Sequence, residues 1–175
     1  FSYTLSGSDI DGDDISFSAS VDGNGSASVD GDQQSVATDQ DFYGEIVVSV
    51  TVSDGQGASD GEDFVLNVLP VNDAPVLSEL QDAESDEGEP FTFQAEASDV
   101  DGDEVYFAAQ ADGHASIFAD GSSFTLYPEQ NYSGQIVVTV TASDGEAQGT
   151  GSFTLTLIPV NDPPVFTLIE SQVVD

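Results

Sequence analysis

The sequence predicts an all-β protein that consists of two consecutive antiparallel β-sandwiches with about seven strands each. The chain is duplicated: residues 8–13 recur as 98–103, and residues 46–55 recur as 136–145, both at an offset of 90. Apolar and polar residues alternate in short segments such as 91–97, a pattern typical of half-buried strands. Asp-Gly dipeptides, which favour tight turns, separate these segments.

The elements follow in order along the second copy. Strands A to G are predicted at 76–80, 91–97, 105–109, 116–119, 124–127, 136–142 and 153–157. Seven short strands in about 90 residues, without helical periodicity, indicate a sandwich of immunoglobulin-like layout. The first copy starts at Phe1, which matches Phe91 in strand B, so it is expected to lack strand A.

Three segments are predicted from this alignment. Residues 1–75 form a repeat without its first strand, and residues 76–164 form a complete repeat. Residues 165–175 correspond to the first strand of a following repeat, or to a strand donated to another subunit. The simplest interpretation of the two ends is a window cut from a longer array.

The charge of the chain excludes several classes of partner. The 175 residues include 34 Asp and Glu and no Lys or Arg, so the formal net charge is −34. Because Lys and Arg neutralise phosphates, no nucleic acid is expected to bind, and anionic membrane surfaces should repel the chain. No apolar run reaches the roughly 18 to 20 residues of a membrane span, so no direct membrane insertion is expected. Leu, Ile, Val and Phe still account for 47 of the 175 residues, enough to build a core.

Catalysis has few candidate groups in this sequence. There is no Lys or Cys, and His114 is the one imidazole. His114 follows an Asp-Gly dipeptide and aligns with Asn24 of the first copy, which favours a surface turn residue. Paired carboxylates suit a glycosidase, but 34 acidic residues produce such pairs by chance. The chain is therefore predicted not to be an enzyme.

Acidic side chains converge at one place in the predicted fold. In a sandwich of this layout the B–C and F–G turns share one end, and the A–B and E–F turns share the other. The side chains predicted to meet at the inter-repeat joint are Asp39 and Asp41 of the first E–F turn, Asn72 and Asp73 of the linker, Asp99, Asp101 and Asp103 of the second B–C turn, and Asp144 of the second F–G turn.

Carboxylate and amide oxygens without a neutralising cationic side chain predict a Ca²⁺ site at this joint. Like charges at about 4 Å repel by roughly 4 kcal/mol per pair at an effective dielectric near 20. Ca²⁺ takes about six to eight oxygen ligands, whereas Mg²⁺ demands a tighter octahedron and keeps its waters. The alternative is a solvated acidic surface adapted to high salt. It explains scattered acids such as Asp60, Glu62 and Asp63, but not acids at matched turns of both copies.

These residues resemble motifs of the cadherin superfamily, in the form of the cadherin-like tandem repeats of large bacterial surface proteins and adhesins. Residues 99–101 resemble the Asp-x-Asp motif that follows strand B, and residues 143–145 resemble the Ala-x-Asp-Gly motif before strand G. Residues 71–76, Val-Asn-Asp-Ala-Pro-Val, resemble the inter-repeat linker. The linker's first Asp is replaced by Pro70 or Pro159, so one or two Ca²⁺ ions per joint are expected.

The resemblance also assigns ligands at the outer ends of the two repeats. Those at the top of the first repeat are Asp9, Asp11 and Asp54, and those at the bottom of the second are Glu87, Glu129, Asn131, Asn161 and Asp162. The resemblance implies that Ca²⁺ held between successive repeats makes a rod-like array. Such arrays are extracellular or lie on the cell surface, and they serve adhesion or reach.

The sequence therefore predicts Ca²⁺-rigidified structural repeats of an extracellular adhesin or cell-surface fibre. The expected partners are neighbouring repeats of the same or an identical chain, with a cell-surface or glycan ligand as a further candidate. One alternative is a filament subunit whose segment 165–175 completes the next subunit's open sandwich. Another is a carbohydrate-binding module. Its candidate stacking residues are Phe1, Tyr3, Tyr43, Tyr106, Tyr127 and Tyr132, although most lie on strand patterns, which favours packing in the core or across strands.

Overall fold

The computed structural model describes residues 1–166, which fold into 15 strands. These residues contain no helix long and apolar enough to cross a membrane. The chain divides into two compact units, Phe1–Val71 and Asn72–Asp175, here called unit 1 and unit 2. The division precedes Asn72, whereas the repeat pattern puts it after residue 75. Asn72 and Asp73 fall in unit 2 because both hydrogen-bond to its turns.

Unit 1 is built from antiparallel strand pairs. Its strands are β1 (Ser2–Thr4), β2 (Ser16–Val21), β3 (Gly25–Asp30), β4 (Gln33–Thr38), β5 (Gly44–Ser53) and β6 (Ser59–Val68). One sheet has the order β1-β4-β3 and the other has the order β2-β5-β6. Because side chains alternate between the two faces of a strand, Val36, Ile46 and Val48 are buried together in a core cluster.

Unit 2 repeats this arrangement and adds three short strands. Its strands are β7 (Val76–Leu77), β8 (Ala83–Asp86), β9 (Phe91–Gln94), β10 (Ala97–Ser98), β11 (Tyr106–Ala111), β12 (Ala115–Asp120), β13 (Ser123–Pro128), β14 (Gly134–Ser143) and β15 (Gln148–Ile158). The sheets have the orders β11-β14-β15-β8 and β12-β13-β9, and β10 pairs with β7. Phe124, Leu126, Ile136, Val138 and Leu155 are fully buried at its centre.

The predicted fold class, all-β tandem antiparallel sandwiches, is confirmed, but the first strand of the second repeat differs from its prediction. The segment predicted at 76–80 is a strand only at Val76–Leu77, antiparallel to β10. The chain then crosses to the other sheet, where β8 runs parallel to β15. Asp82 caps this crossing, because its Oδ1 accepts the backbone N–H of Thr154 at 2.6 Å. The first strand is therefore shared between two sheets.

The last strand of the second repeat starts earlier than predicted. The sequence predicts this strand at 153–157, whereas β15 extends from Gln148 to Ile158. The added stretch contains Gly149 and Gly151, which suggest a turn when considered locally. In the fold they permit a close approach: a Cβ on Gly149 would collide with the carbonyl oxygen of Pro75. Glycine is the residue that a strand needs where another backbone passes this closely.

The predicted segment 165–175 falls mostly outside the described residues. Val165 and Phe166 are described, and both are exposed, Phe166 by 94%. The assignment of this segment as a first strand or a donated strand stays a prediction.

Candidate metal centre

The turn between β10 and β11 gathers three carboxylates of unit 2. Asp99 Oδ1 accepts the backbone N–H groups of Asp101 at 2.9 Å and Asp103 at 3.3 Å. This local hydrogen bonding closes the turn, and Gly102 provides the left-handed backbone that it needs, with φ at 81°. One oxygen from each of Asp99, Asp101 and Asp103 lies within 4.8 Å of the others.

The linker residues are bonded to this end of unit 2. Asp101 Oδ2 accepts the backbone N–H of Asp73 at 2.8 Å. The side-chain amide of Asn72 donates to Asp144 Oδ2 at 3.0 Å and to the carbonyl oxygen of Asp73 at 3.2 Å. These bonds bring Asn72, Asp73, Asp99, Asp101 and Asp144 together within one unit, and their role as metal ligands stays a prediction.

Asp144 is oriented by the turn that it begins. Its Oδ1 accepts the backbone N–H groups of Ala147 and Glu146, both at 2.6 Å. The Ala147 N–H, followed by the Asn72 amide and the Glu146 N–H, lowers the pKa of Asp144 below its ordinary value. The carboxylate is therefore held in its charged form.

One oxygen of the centre has no hydrogen-bond partner in the part of the chain that the structure describes. Asp99 Oδ2 is shielded from solvent and, among residues 1–166, it accepts no hydrogen bond. A buried acceptor is normally satisfied, and leaving a charged one unsatisfied is costly. Asp101 and Asp103 lie close enough to Asp99 to add like-charge repulsion, which solvent and salt screen at the exposed Asp103. The turn therefore offers a buried, unpartnered oxygen beside two further carboxylates.

The residues present fit Ca²⁺. Asp99, Asp101 and Asp103 offer carboxylate oxygens within 4.8 Å of one another. Asp144 lies outside that group and is connected to the linker by Asn72, which retains its amide oxygen because its nitrogen is the donor to Asp144. Hard oxygen ligands of mixed charge on turns are the donors that Ca²⁺ prefers, and thiolate or imidazole ligands for softer metals are absent from this group. Asp103 lies on the predicted turn but outside the cadherin-type motif. Its short distance to Asp99 and Asp101 identifies it as a further candidate ligand.

The equivalent end of unit 1 has the same turn geometry. Asp9 Oδ1 accepts the backbone N–H of Asp11 at 2.8 Å and that of Asp13 at 3.2 Å. Asp54 Oδ1 accepts the N–H groups of three successive residues, Gln56 to Ala58, at 2.7 to 3.1 Å. These bonds, with that from Gln56 the strongest, lower the pKa of Asp54. The predicted ligands Asp9 and Asp54 are thus held by local bonds like those of Asp99 and Asp144, whereas Asp11 contributes its backbone N–H to the turn.

The two acidic residues of the first E–F turn are both exposed. Asp39 donates its backbone N–H to the carbonyl of Asn24 at 2.9 Å, and Asp41 has a left-handed backbone with φ at 57°. The amide of Gln40 donates to Asp41 Oδ2 at 3.2 Å. The inclusion of Asp39 and Asp41 in an inter-repeat site stays a prediction.

The opposite end of unit 2 contains a cleft of about 390 Å³. Of the residues predicted there, Glu87, Asn131 and Asp162 line it. Glu87 Oε1 accepts the backbone N–H of Val160 at 2.6 Å, which ties the A–B turn to the segment after β15. Asn161 does not line the cleft, and its amide donates to the carbonyl of Asp162 at 3.4 Å. Three predicted ligands therefore share one concave surface.

Glu129 is engaged elsewhere at this end. Its Oε2 lies 2.8 Å from His114 Nδ1, and the His114 ring stacks on Tyr132 with centroids 3.9 Å apart. His114 is exposed on the turn between β11 and β12 with φ at 55°, which confirms the surface turn position. The sequence does not predict this contact of Glu129, because His114 is 15 residues away.

Most of the aromatic candidates for carbohydrate stacking are exposed. Tyr3, Tyr43, Tyr106 and Tyr127 are each about half exposed or more, so they are not core residues, and their packing across strands stays a prediction. Tyr132 is partly buried against the core of unit 2. Tyr106 is held by Glu104, whose Oε2 accepts its hydroxyl at 2.8 Å. That hydrogen bond, together with the Glu104 charge, raises the pKa of Tyr106.

Comparison with solved structures identifies cadherin ectodomains among the similar folds. Human protocadherin-24 EC1-2 matches with a TM-score of 0.52 and 15% identity, over 92% of this chain and 88% of that one. Drosophila N-cadherin EC1-4 matches with a TM-score of 0.52 and 17% identity, over 91% of this chain and 44% of that one. At these identities the likeness concerns the fold alone.

A further match concerns an enzyme of greater length. An endo-fucoidan hydrolase from glycoside hydrolase family 107 has a TM-score of 0.39 and 19% identity, over 86% of this chain. The chain spans only 24% of that hydrolase, and at this TM-score the match has no bearing on function. No curated protein sequence matches the chain.

The family of the chain follows from its sequence profile. The profile of the bacterial Ig domain matches residues 1–67 and again residues 72–157. The two matches coincide with the two sandwiches and cover most of the 175 residues. The chain therefore belongs to the bacterial Ig domain family, with two tandem sandwiches of cadherin-like fold.

Proposed function

We propose that the chain is a pair of extracellular structural repeats whose linker is fixed by Ca²⁺, and that it serves adhesion or reach at a bacterial cell surface. The observation that supports this most directly is the buried, unpartnered Oδ2 of Asp99, beside two further carboxylates and the bonded linker. Bacterial Ig domains and cadherin ectodomains are typically extracellular. No group of this chain is assigned a catalytic role.

The proposed effect of the ion acts on the linker. Asp73 donates a hydrogen bond to Asp101, and Asn72 donates one to Asp144. The positions of both linker residues therefore depend on two carboxylates that lie among other negative charges. An ion that neutralises these carboxylates keeps them in place, and with them the two linker residues. Residue 71 is the last of unit 1, so the two linker residues that the ion would hold follow directly after the first sandwich.

The size of the effect follows from linkage. A ligand that binds only the ordered state stabilises it by RT ln(1 + [Ca²⁺]/Kd). At about 10 mM Ca²⁺ and a Kd of roughly 10⁻⁴ to 10⁻³ M, typical of extracellular modules, the gain is about 1.4 to 2.7 kcal/mol per site. That is sufficient to convert a mobile linker into one that is mostly ordered.

The test is small-angle scattering together with a thermal melt, in Ca²⁺, Mg²⁺ and chelator at matched ionic strength. Matching is needed because added salt alone relieves repulsion among exposed acids. We expect a Ca²⁺-specific rise in melting temperature and a narrower distribution of dimensions. Asp101→Asn should lose both effects, while replacement of an exposed acid at the end of β12, Asp120→Asn, should keep them. If NaCl matches Ca²⁺ in the wild type, the acids serve salt adaptation and the proposal fails.

A further inference from the structure

The turn between β2 and β3 ends at Asn24, and Gly25 follows as the first residue of β3. Asn24 is exposed and has a left-handed backbone with φ at 56°, which asparagine tolerates better than most residues. Of the five asparagines in the sequence, Asn24 is the one that precedes a glycine. The counterpart dipeptide of unit 2 is His114-Ala115, so the Asn-Gly pair is specific to unit 1.

The glycine at this place fits a close approach of β4. A Cβ on Gly25 would lie 2.5 Å from the carbonyl oxygen of Ala37 and 3.1 Å from the Cα of Thr38. Glycine is typical of a strand where another backbone passes this closely. The residue after Asn24 therefore lacks the side chain that would hinder an attack by its backbone nitrogen.

The hydrogen-bond pattern leaves that nitrogen outside the ladder of β3 and β4. The Asp39 N–H donates to the Asn24 carbonyl at 2.9 Å, so Asn24 and Asp39 form a hydrogen-bonded pair. Hydrogen-bonded and non-hydrogen-bonded pairs alternate in an antiparallel ladder, and Gly25 with Thr38 is the next pair. Because β3 is the outer strand of its sheet, the Gly25 N–H points away from β4 and takes no part in this ladder.

The side-chain amide of Asn24 is likewise accessible. Among residues 1–166, the asparagine side chains that make hydrogen bonds are those of Asn72 and Asn161. The Asn24 amide is exposed and has no such bond to hold it in place. An accessible amide carbon and an accessible backbone nitrogen thus belong to adjacent residues of the same turn.

We propose that Asn24 is a site of spontaneous deamidation and that its isoaspartyl product alters the start of β3. The Gly25 nitrogen forms a bond to Asn24 Cγ, the Cγ–Nδ2 bond breaks, and Nδ2 leaves as ammonia with the proton from the Gly25 N–H. A water molecule then opens the succinimide ring. Opening at Cγ gives aspartate, and opening at the main-chain carbonyl carbon gives isoaspartate. The net change is the gain of water and the loss of ammonia.

Both products add a negative charge to a turn that already contains Asp22. In isoaspartate the main chain also continues through Cβ and Cγ, so it is longer by a carbon atom just before Gly25. The former main-chain carbonyl, which accepts the Asp39 N–H, becomes a free carboxylate. The pairing of position 24 with Asp39 is therefore expected to be lost. The reaction itself does not depend on the Ca²⁺ proposed above.

Asn131 provides a matched control within the chain. It is also exposed and left-handed, with φ at 59°, but Tyr132 follows it. The chain is incubated in chelator at neutral and at mildly alkaline pH and is then analysed by peptide mass spectrometry. Asn24 should convert, faster at the higher pH because the attacking nitrogen must lose its proton, while Asn131 stays unchanged. Asn24→His, which introduces the residue of the counterpart position, should abolish the conversion.

A synthetic peptide of residues 20–30 gives the rate of the same dipeptide without the fold. Asn24 in the folded chain should react no more than a few-fold more slowly than the peptide. A folded chain in which Asn24 stays intact while the peptide reacts overturns the proposal. Conversion of Asn131 at the same rate as Asn24 also overturns it.

Hydrogen exchange at the Asp39 amide tests the effect on β3. Protection should fall in proportion to the isoaspartate content of the aged chain. Freshly prepared Asn24→Asp adds the charge without the extra main-chain carbon, so it should keep the protection. Unchanged protection in the aged chain, or an equal loss in fresh Asn24→Asp, would overturn the proposed change of the main chain.

Discussion

Gln34 of unit 1 and Phe124 of unit 2 occupy the same position in the repeat, and both side chains are fully buried. Phe124 packs against Phe93 with ring centroids 5.1 Å apart. Among the described residues, neither the amide oxygen nor the amide nitrogen of Gln34 has a hydrogen-bond partner. The first sandwich thus has a polar group at the place where the second has its largest core side chain.

Replacing this buried amide should stabilise unit 1. Gln34→Leu removes two unsatisfied polar atoms at similar volume, and the free energy of unfolding should rise by about 1 to 3 kcal/mol. Hydrogen exchange at the Ile46 and Val48 amides of β5 measures the change. The matched substitution Phe124→Leu should have the opposite sign, because it opens a cavity in unit 2. A loss of protection in Gln34→Leu would mean that the amide has a partner in solution.

The effect of Asp99→Asn on the melting temperature should change sign between chelator and Ca²⁺. Asparagine keeps the Oδ1 acceptor for the turn, but it replaces the unpartnered oxygen with a donor and removes one negative charge. In chelator the variant should therefore melt at or above the wild-type temperature. In Ca²⁺ it should fall below the wild type by about the binding contribution, 1.4 to 2.7 kcal/mol. Calorimetry in both buffers measures the melting temperatures of the variant and the wild type. A variant that is equally destabilised in both buffers would refute a metal role for Asp99.

The stability of unit 2 at acid pH should depend on the ionisation of Asp144. Its pKa is lowered from 3.8, first by the Ala147 N–H and then by the Asn72 amide. A lowered folded-state pKa means that the charged form contributes stability above pH 3.8, and that this contribution disappears as the pH falls through the lowered value. A ¹³C NMR titration in chelator should place Asp144 below 3.8, and Asn72→Ala should raise its pKa part of the way back. Asp54, which is lowered by backbone donors alone, serves as the unaffected reference. An unchanged Asp144 pKa in Asn72→Ala would exclude the linker contact in solution.

The close approach at β15 should be sensitive to a single methyl group. Gly149→Ala places a Cβ against the Pro75 carbonyl, so β15 or the entering chain must shift, at a cost of about 1 to 3 kcal/mol. Gly151→Ala is the control, since its Cβ would meet only the Leu80 and Leu77 methyl groups, at 3.4 and 3.6 Å. Chemical denaturation should rank the two variants in that order. Equal stability of both would mean that the entering segment does not lie this close to β15.

The sequence predicts most of the strands because their signals are local. Alternation and Asp-Gly turns locate β11 to β14 to within a residue or two of their bounds. The B–C turn is equally local, since Asp99 closes it within four residues. The crossing at Asp82 is not local, because its partner Thr154 is 72 residues away. The small side chains of Ala83 and Ser85 do not give β8 the apolar alternation of a predicted strand. The contact of Glu129 with His114 is not part of any sequence motif.

The parallel pairing of β8 with β15 affects how unit 2 responds to a pulling force along the chain. β8 lies near the point where the chain enters unit 2, and β15 leads to the point where it leaves. Tension along the chain pulls these parallel strands in opposite directions, so the four residue pairs from Leu155 with Ala83 to Ile158 with Asp86 are strained together. Strands sheared in this way break as a group, whereas a strand peeled from its end loses one pair at a time. Unit 2 should therefore resist a force applied along the chain until these four pairs break together.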